Sequence, residues 1–380
     1  MTIVLSSILL ASTIGCDDWF DKDDNDNEDD DLRADVIADH LDTPWEMTFA
    51  PDGRMFFTER PGAISVIPPG GSRQILLKLD SVVEEIGESG LFGIALDPDF
   101  TSNGYFYFAY TYAASKSPLV LYNKLVRYRE DVTTHRPVFD KVLLDSVDGN
   151  YLHNMGALEF GPDGMLYVTV GEHFSPSIAQ DLNSLNGKIL RMTRDGDVPQ
   201  DNPFPGSYVY SYGHRNPQGI AFQPGTNALW STEHGPSEDQ GCCMDEINHI
   251  EAGKNYGWPA IRGMQQAADM VTPVYISGDT VTWAPTGGIF INEGDWKGSL
   301  VFTGLRGQAL YRAVFDSSNP MVIQTVERYL YRKLGRLRNV AEGPDGRLYI
   351  AVSNQDGRGD PDSDDDQIIS MTQEDIMAMP

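Results

Sequence analysis

The sequence predicts an all-β protein, a six-bladed β-propeller of four-stranded antiparallel blades, and three observations carry that expectation. One unit recurs along the chain: an apolar residue, then Pro-Asp-Gly or a relative of it, then a short aromatic strand. Clear helical periodicity is scarce. The chain has 380 residues, 41% of them hydrophobic, which is enough for one large β architecture with a substantial core.

The repeats run in order. The first reads Ala50-Pro51-Asp52-Gly53-Arg54-Met55-Phe56-Phe57, and the second Asp97-Pro98-Asp99-Phe100 leading to Tyr105-Phe106-Tyr107-Phe108. The third is Gly161-Pro162-Asp163-Gly164-Met165-Leu166-Tyr167-Val168, and the fourth Gln223-Pro224-Gly225 leading to Leu229-Trp230. A weaker copy spans 289–303 around Asn292-Glu293-Gly294, and the last is Gly343-Pro344-Asp345-Gly346-Arg347-Leu348-Tyr349-Ile350. Pro-Asp-Gly presets a tight turn, and the β-branched and aromatic residues after it favour a hairpin strand. One hairpin is marginal in water, so the repeats must stack to bury their faces. Copies spaced by roughly 45–70 residues suit one propeller blade each. A β-sandwich with chance turns is the competing architecture, and six ordered copies argue against it. Long connections are expected at 116–150 and 255–283, where binding function tends to reside.

The body is expected to be a single propeller domain over residues 34–375. Before it, the apolar run 3–10 and the small residues Ala11-Ser12-Thr13-Ile14-Gly15 lead to Cys16. That pattern resembles a bacterial lipoprotein signal (1–16), with Cys16 becoming the lipidated first residue. It departs in having no Lys or Arg before the apolar run and Thr13 where Leu is usual. A plain cleaved signal peptide is the alternative; either implies export, to the periplasm or cell surface. Residues 17–33 then read as an acidic, self-repelling tether, since 17–31 hold ten acids and one Lys. Net charge is −28, leaving about −19 outside that run. Such a surface disfavours nucleic acid and anionic lipid, so membrane contact is expected only through the N-terminal anchor. Three cysteines are too few for a disulfide scaffold.

The densest chemistry lies in 212–248. Tyr212-Gly213-His214-Arg215-Asn216-Pro217-Gln218-Gly219 leads into Glu233-His234-Gly235-Pro236, then Asp245-Glu246-Ile247-Asn248. A cation and an amide that can be buried there meet a Gly-Pro turn and two acids. The mix suits an anionic, oxygen-rich ligand beside a hard metal ion.

With these blocks in view, the chain resembles the soluble quinoprotein sugar dehydrogenases, the glucose/sorbosone dehydrogenase family of pyrroloquinoline quinone (PQQ) enzymes. The resemblance covers about residues 41–371 and includes Pro44-Trp45-Glu46-Met47-Thr48-Phe49, Glu59-Arg60-Pro61-Gly62 and Gly90-Leu91-Phe92-Gly93-Ile94-Ala95-Leu96-Asp97-Pro98. It continues in His153-Asn154, Leu185-Asn186-Gly187-Lys188-Ile189-Leu190-Arg191, the Gly-His-Arg-Asn-Pro block, and Asn255-Tyr256-Gly257-Trp258-Pro259. It implies an enzyme that uses PQQ and Ca²⁺ to oxidise an aldose at its anomeric carbon to a lactone, with electrons leaving to an external acceptor.

The resemblance assigns roles residue by residue. His153 matches the base, a role imidazole suits because it titrates near working pH. It should sit on a loop or strand start at one propeller end. Arg215 and Asn216 match residues that contact PQQ, Arg215 also stabilising the charge that develops on the quinone. The main-chain carbonyls of Gly235 and Pro236 match ligands of the catalytic calcium. Glu246 and the Tyr256 carbonyl match a second, structural calcium. Arg306, Arg336 and Arg338 match cations for the quinone carboxylates, and the last two, two apart on an extended segment, should share a face. Met155 and Ala157 depart from relatives, which often have Gly and Arg there. The acids of 360–366 read as a solvated edge. Cys242-Cys243 either closes an eight-membered ring beside the calcium turn or remains two thiols in a loop.

Two other functions fit a propeller. One is a cofactor-free module that binds a glycan or a protein partner, which would have no reason to keep His153, Arg215, Asn216, Arg306, Arg336 and Arg338 together. The other is a calcium-dependent lactonase, which needs side-chain Asp, Asn and Glu ligands converging on the central channel; the sequence assembles no such set.

Overall fold

The structure is a computed structural model that describes residues 33–131, 133–236 and 242–379. The expected leader at 1–16, and the expected tether apart from Arg33, lie outside the described residues. No helix among the described residues is long and apolar enough to cross a membrane.

The chain opens with β1 (Asp35–Ala38) and then builds blades in sequence. Blade 1 holds β2 (Pro44–Phe49), β3 (Met55–Glu59), β4 (Ala63–Ile67) and β5 (Gln74–Lys78); blade 2 holds β6 (Leu91–Leu96), β7 (Tyr105–Lys116), β8 (Leu119–Glu130) and β9 (Pro137–Asp148). Blade 3 is β10 (Met155–Phe160), β11 (Leu166–Val170), β12 (Lys188–Met192) and β13 (Val209–Tyr212); blade 4 is β14 (Pro217–Phe222), β15 (Leu229–Glu233), β16 (Glu246–Ile250) and β17 (Tyr275–Ile276). Blade 5 is β18 (Pro285–Phe290), β19 (Leu300–Gly304), β20 (Ala309–Phe315) and β21 (Ile323–Tyr329). Blade 6 joins β22 (Leu337–Glu342), β23 (Leu348–Val352) and β24 (Ile368–Met371) to β1, so the N-terminal strand closes the ring. The first strands of successive blades touch one another around the axis, β2 meeting β22 to complete the circle.

The predicted Pro-Asp-Gly turns all join the first strand of a blade to its second. Gly53, Gly164, Gly225 and Gly346 take positive φ there, from 73 to 84°. The Asp between Pro and Gly caps its own turn: Asp52, Asp163 and Asp345 each accept the backbone N–H two residues on. The aromatic strands that follow fill the layers between blades. Phe56, Phe106 and Phe108 are fully buried between blades 1 and 2, and Trp230 and Phe302 between blades 4 and 5. Each such side chain contributes roughly 2–3 kcal/mol through burial.

Every first strand is irregular near its start, with register shifts between Pro44/Met47, Leu91/Ile94, Met155/Leu158, Pro217/Gly219, Thr286/Gly288 and Leu337/Asn339. Such bulges re-aim side chains. They lie at the end of the ring opposite the Pro-Asp-Gly turns.

The expected connections need correction. Residues 116–150 are mostly strand, because β8 and β9 each run for 12 residues. The alternation was masked by β9, an outer strand whose Phe139 and Val142 remain exposed. Residues 255–283 are mostly irregular, with only the two-residue β17 inside them.

Candidate functional site

The bulged end collects the expected site residues. His153, Arg215 and Asn216, and Arg336 precede the first strands of blades 3, 4 and 6, while Gly235-Pro236 and Arg306 follow the second strands of blades 4 and 5. His153 holds φ at 56° and is 6% exposed. Its Nδ1 meets Oε1 of Glu172, which follows β11 and is itself 1% exposed. With Nδ1 held by a carboxylate, Nε2 is the ring nitrogen left to accept a proton. The Glu172 backbone N–H in turn donates to the Arg215 carbonyl at 2.9 Å, which ties the His153–Glu172 pair to the cation in blade 4.

Arg215 is buried, and burial pushes its pKa down. Its guanidinium lies 5.5 Å from the Trp258 ring centre. The Asn216 side-chain oxygen accepts from Gln218 at 3.1 Å, and Gln218 accepts from Arg338 at 2.9 Å. Arg338 also stacks over Trp45 at 4.1 Å, and burial pushes its pKa down to about 9. Arg336 is committed differently: it donates twice to Asp356, at 2.8 and 2.6 Å, and to the Leu305 carbonyl at 3.3 Å. The bulge at Leu337/Asn339 interrupts the simple alternation on which a shared face was expected. Arg306 is exposed.

His234 stands at the centre of this group. The charges that bear on it are Glu88, Arg215, Arg338 and His153, and burial pushes its pKa down to about 3. Its Nε2 is buried without a hydrogen-bond partner among the described residues, as is Glu172 Oε2. Burial opposes ionisation of Glu88, but surrounding positive charge, with Arg358 paired to it at 2.7 Å, outweighs that and holds the carboxyl at about 2. Two buried cations facing an orphaned polar nitrogen form a seat suited to a polyanionic ligand.

The Gly235-Pro236 turn is rigidly supported. Gly235 donates to Asp245 at 2.8 Å, and the other Asp245 oxygen accepts the backbone N–H groups of Trp283 (2.6 Å) and Ala284 (2.9 Å). A Cβ at Gly235 would lie 1.9 Å from the Cys243 carbonyl oxygen, so only glycine fits. Cys242 and Cys243 are joined as a disulfide. Glu246 lies opposite Glu233 across the β15–β16 ladder; burial and that neighbour push its pKa up. It accepts from Asn248 and Gly263, and shares one cleft with Arg215, Gly235, Pro236 and Tyr256. Two facing carboxylates, Glu233 buried and Glu246 partly so, suit a cation between protein oxygens. Among the described residues no cluster of three or more His, Cys, Asp or Glu side chains could hold a metal. A larger cleft, about 620 Å³, opens by Pro162 and Asp163 at the turn end and contains none of these residues.

His214, also within 212–248, is structural. It is fully buried, bonded through Nδ1 to Glu233 and through Nε2 to Ser211, both at 2.8 Å, and stacks on Tyr256. In the 360–366 loop, Asp360, Asp362 and Asp364 are exposed as expected. Asp366 is not: it is buried and accepts the backbone N–H groups of Thr43, Asn354 and Gln355.

Glu172, His234, Gln218 and Asp245 had no role in the sequence reading. For Glu172 a signal existed, because His153 to Glu172 and His214 to Glu233 share a spacing of 19 residues. Each pair sets a pre-strand histidine against an acid at the end of the second strand of the same blade.

Residues 41–360 match the family described as glucose/sorbosone dehydrogenase. The chain belongs to that family. It is similar to the aldose sugar dehydrogenase YliI of Escherichia coli K12, 32% identical over 351 residues, covering 86% of this chain and 91% of that protein. Quinoprotein glucose dehydrogenase B of Acinetobacter calcoaceticus is 36% identical over 256 residues, 60% of this chain and 52% of that one. Among solved structures, the PQQ-bound aldose sugar dehydrogenase of Streptomyces coelicolor superposes with a TM-score of 0.78 at 34% identity, covering 88% of this chain and 96% of that chain.

Proposed function

We propose that the protein is a PQQ- and Ca²⁺-dependent aldose dehydrogenase that converts the sugar to its lactone. The observation that carries this reading is the Glu172 hinge: its carboxylate holds the His153 imidazole while its backbone N–H holds Arg215. A base and a buried cation are thereby fixed in one frame, as a hydroxyl oxidation requires. The named relatives and the PQQ-bound neighbour support the same chemistry.

In this reading Arg215, Asn216 and Arg338 hold the quinone, with Arg336 and Arg306 beside them. The Gly235 and Pro236 carbonyls hold the catalytic calcium, and Glu246 with the Tyr256 carbonyl a structural one. Bound there, PQQ supplies the acceptor for the hydride that leaves the anomeric carbon, and its electrons pass on to an external acceptor. His153 takes the anomeric hydroxyl proton at Nε2. Glu172 keeps the ring oriented and stabilises the imidazolium that results. Arg215 sets positive charge where negative charge develops. His234, kept neutral by burial, offers Nε2 to the same ligand without adding charge.

Export with a lipid anchor at Cys16 completes the proposal. The chain enters the propeller at the turn end, where Asp35 accepts from Arg347 at 2.7 Å. An anchored protein would therefore turn its site end away from the membrane.

The test adds PQQ and Ca²⁺ to purified apoprotein, then follows the bound quinone spectrum and dye reduction across an aldose panel. Quinone uptake with aldose turnover is expected, and absence of quinone uptake sinks the reading. His153→Ala should abolish turnover while largely sparing quinone binding; unchanged turnover would remove His153 from the mechanism.

A further inference from the structure

Beside the base, the fold presents two aromatic rings to solvent. Phe174 is 53% exposed and Tyr151, two residues before His153, is 48% exposed. The Phe174 ring meets the His153 ring edge-on, with centroids 5.8 Å apart. The backbone that holds them is strained: His153, His173 and Phe174 all take positive φ, at 56, 43 and 61°. That region costs a non-glycine residue about 1–2 kcal/mol, and such strain persists only where the surroundings impose it.

Here they do. His173 donates to the His153 carbonyl at 3.0 Å, and Asn150 Nδ2 donates to the His173 carbonyl at 2.8 Å. Ser175 N–H closes on the Glu172 carbonyl at 2.9 Å, and Glu88 N–H on that of Tyr151 at 2.7 Å. The loops before β10 and after β11 are thus laced together, and the lacing keeps Phe174 half in water rather than tucked into the core. Glu88, whose carboxylate accepts from the His153 N–H at 3.3 Å, stands on the same rim.

We propose that Phe174 and Tyr151 form a stacking platform for pyranose rings, an inference that rests on the aldose dehydrogenase reading. The apolar C–H face of the reacting ring lies on Phe174, which presents the anomeric hydroxyl to His153 Nε2. Tyr151 carries the next ring of a disaccharide, and Glu88 accepts from ring hydroxyls. An aromatic face matched to an apolar ring face, with acceptors at its edge, recognises cyclic sugars over small acyclic alcohols. A platform two side chains wide beside a buried base fits such a ligand better than a protein partner, which would need a patch of several hundred Å².

The experiment uses the quinone- and calcium-loaded protein with glucose and maltose. Phe174→Ala should raise KM for both sugars about five- to tenfold, the range expected for one lost aromatic contact, with kcat changed little. Phe174→Trp should restore KM towards wild type. Tyr151→Ala should raise KM for maltose more than for glucose. Quinone uptake, read from its bound spectrum, and melting temperature are measured on every variant and should stay at wild-type values. An unaltered KM in Phe174→Ala overturns the platform. So does a fall in kcat at constant KM, which would make Phe174 a support for His153, and so does weakened quinone uptake, which would place it in the cofactor seat. Wild-type protein that takes up quinone but oxidises no aldose overturns the dehydrogenase reading itself, and the platform with it.

Discussion

The two ends of the propeller are built on opposite principles. At the turn end the carboxylates are met by their neighbours: Asp97 accepts from Tyr107, Asn103 and Arg194, and Asp163 from Tyr167 and Arg191. Positive φ falls there mainly on the glycines of the Pro-Asp-Gly turns, with His135 and Asn227 beside them. At the site end, positive φ falls on His153, His173, Phe174, Met244 and Ala284, while Glu172 Oε2 and His234 Nε2 lack partners among the described residues. Burial also works against Arg215 and Arg338 there. One end is locally relaxed and holds the ring together. The other is held in place by its neighbours and keeps polar capacity in reserve for a ligand.

The largest effect that sharpens this contrast concerns Glu172. Glu172→Gln preserves volume but removes the charge that stabilises the imidazolium, so kcat should fall by about 10²-fold or more. Quinone uptake should hold, because the Glu172 backbone N–H still reaches Arg215. Stopped-flow dye reduction together with a quinone titration separates the two. Loss of both in parallel would show that Glu172 serves folding of the site rather than the base.

How much of this was legible in the sequence follows the same division. The turn end was readable because Pro-Asp-Gly and the aromatic strand after it act within a few residues, and six copies fix the architecture. Ring closure by β1 was not, since Asp35 pairs with Ser370 across almost the whole chain. At the site end, His153, Arg215, Asn216 and the Gly235-Pro236 turn stood out by residue type and resemblance. Their supports did not. Glu172 is one of 56 acids, and only the fold shows which of them meets an imidazole. Asp245 reaches Trp283 and Ala284 nearly forty residues away, a contact no local pattern announces. Arg336 carried the right charge but is spoken for by Asp356.

A middle-sized effect should appear in pH dependence. Glu46 sits in the bulge of β2 on the axis, accepting from the Ile94 N–H at 2.9 Å, and burial pushes its pKa up to about 8. The folded form therefore binds this proton more tightly than the unfolded chain. Its contribution to stability is complete below about pH 4.5 and is lost as pH rises through about 8. Glu46→Gln keeps the acceptor and removes the titration. Melting temperature should fall less between pH 5 and pH 9 in the variant than in wild type, by several degrees; identical pH profiles would show that Glu46 is solvated in the channel.

The smallest effect tests the turn end alone. Gly164 holds φ at 73°, donates to Gly161 at 2.9 Å, and a Cβ added there would meet nothing closer than the Arg194 guanidinium at 3.7 Å. Space is therefore available, and Gly164→Ala isolates the backbone term of about 1 kcal/mol. In a chain of this size that lowers the melting temperature by about 2 °C. Quinone uptake and kcat should not move, because this turn and His153 lie at opposite ends of β10, and the strand between them is hydrogen-bonded to β11 and packed between the first strands of blades 2 and 4. A drop in kcat larger than the stability loss explains would mean that strain at one end reaches the other, and the two ends could no longer be treated as independent.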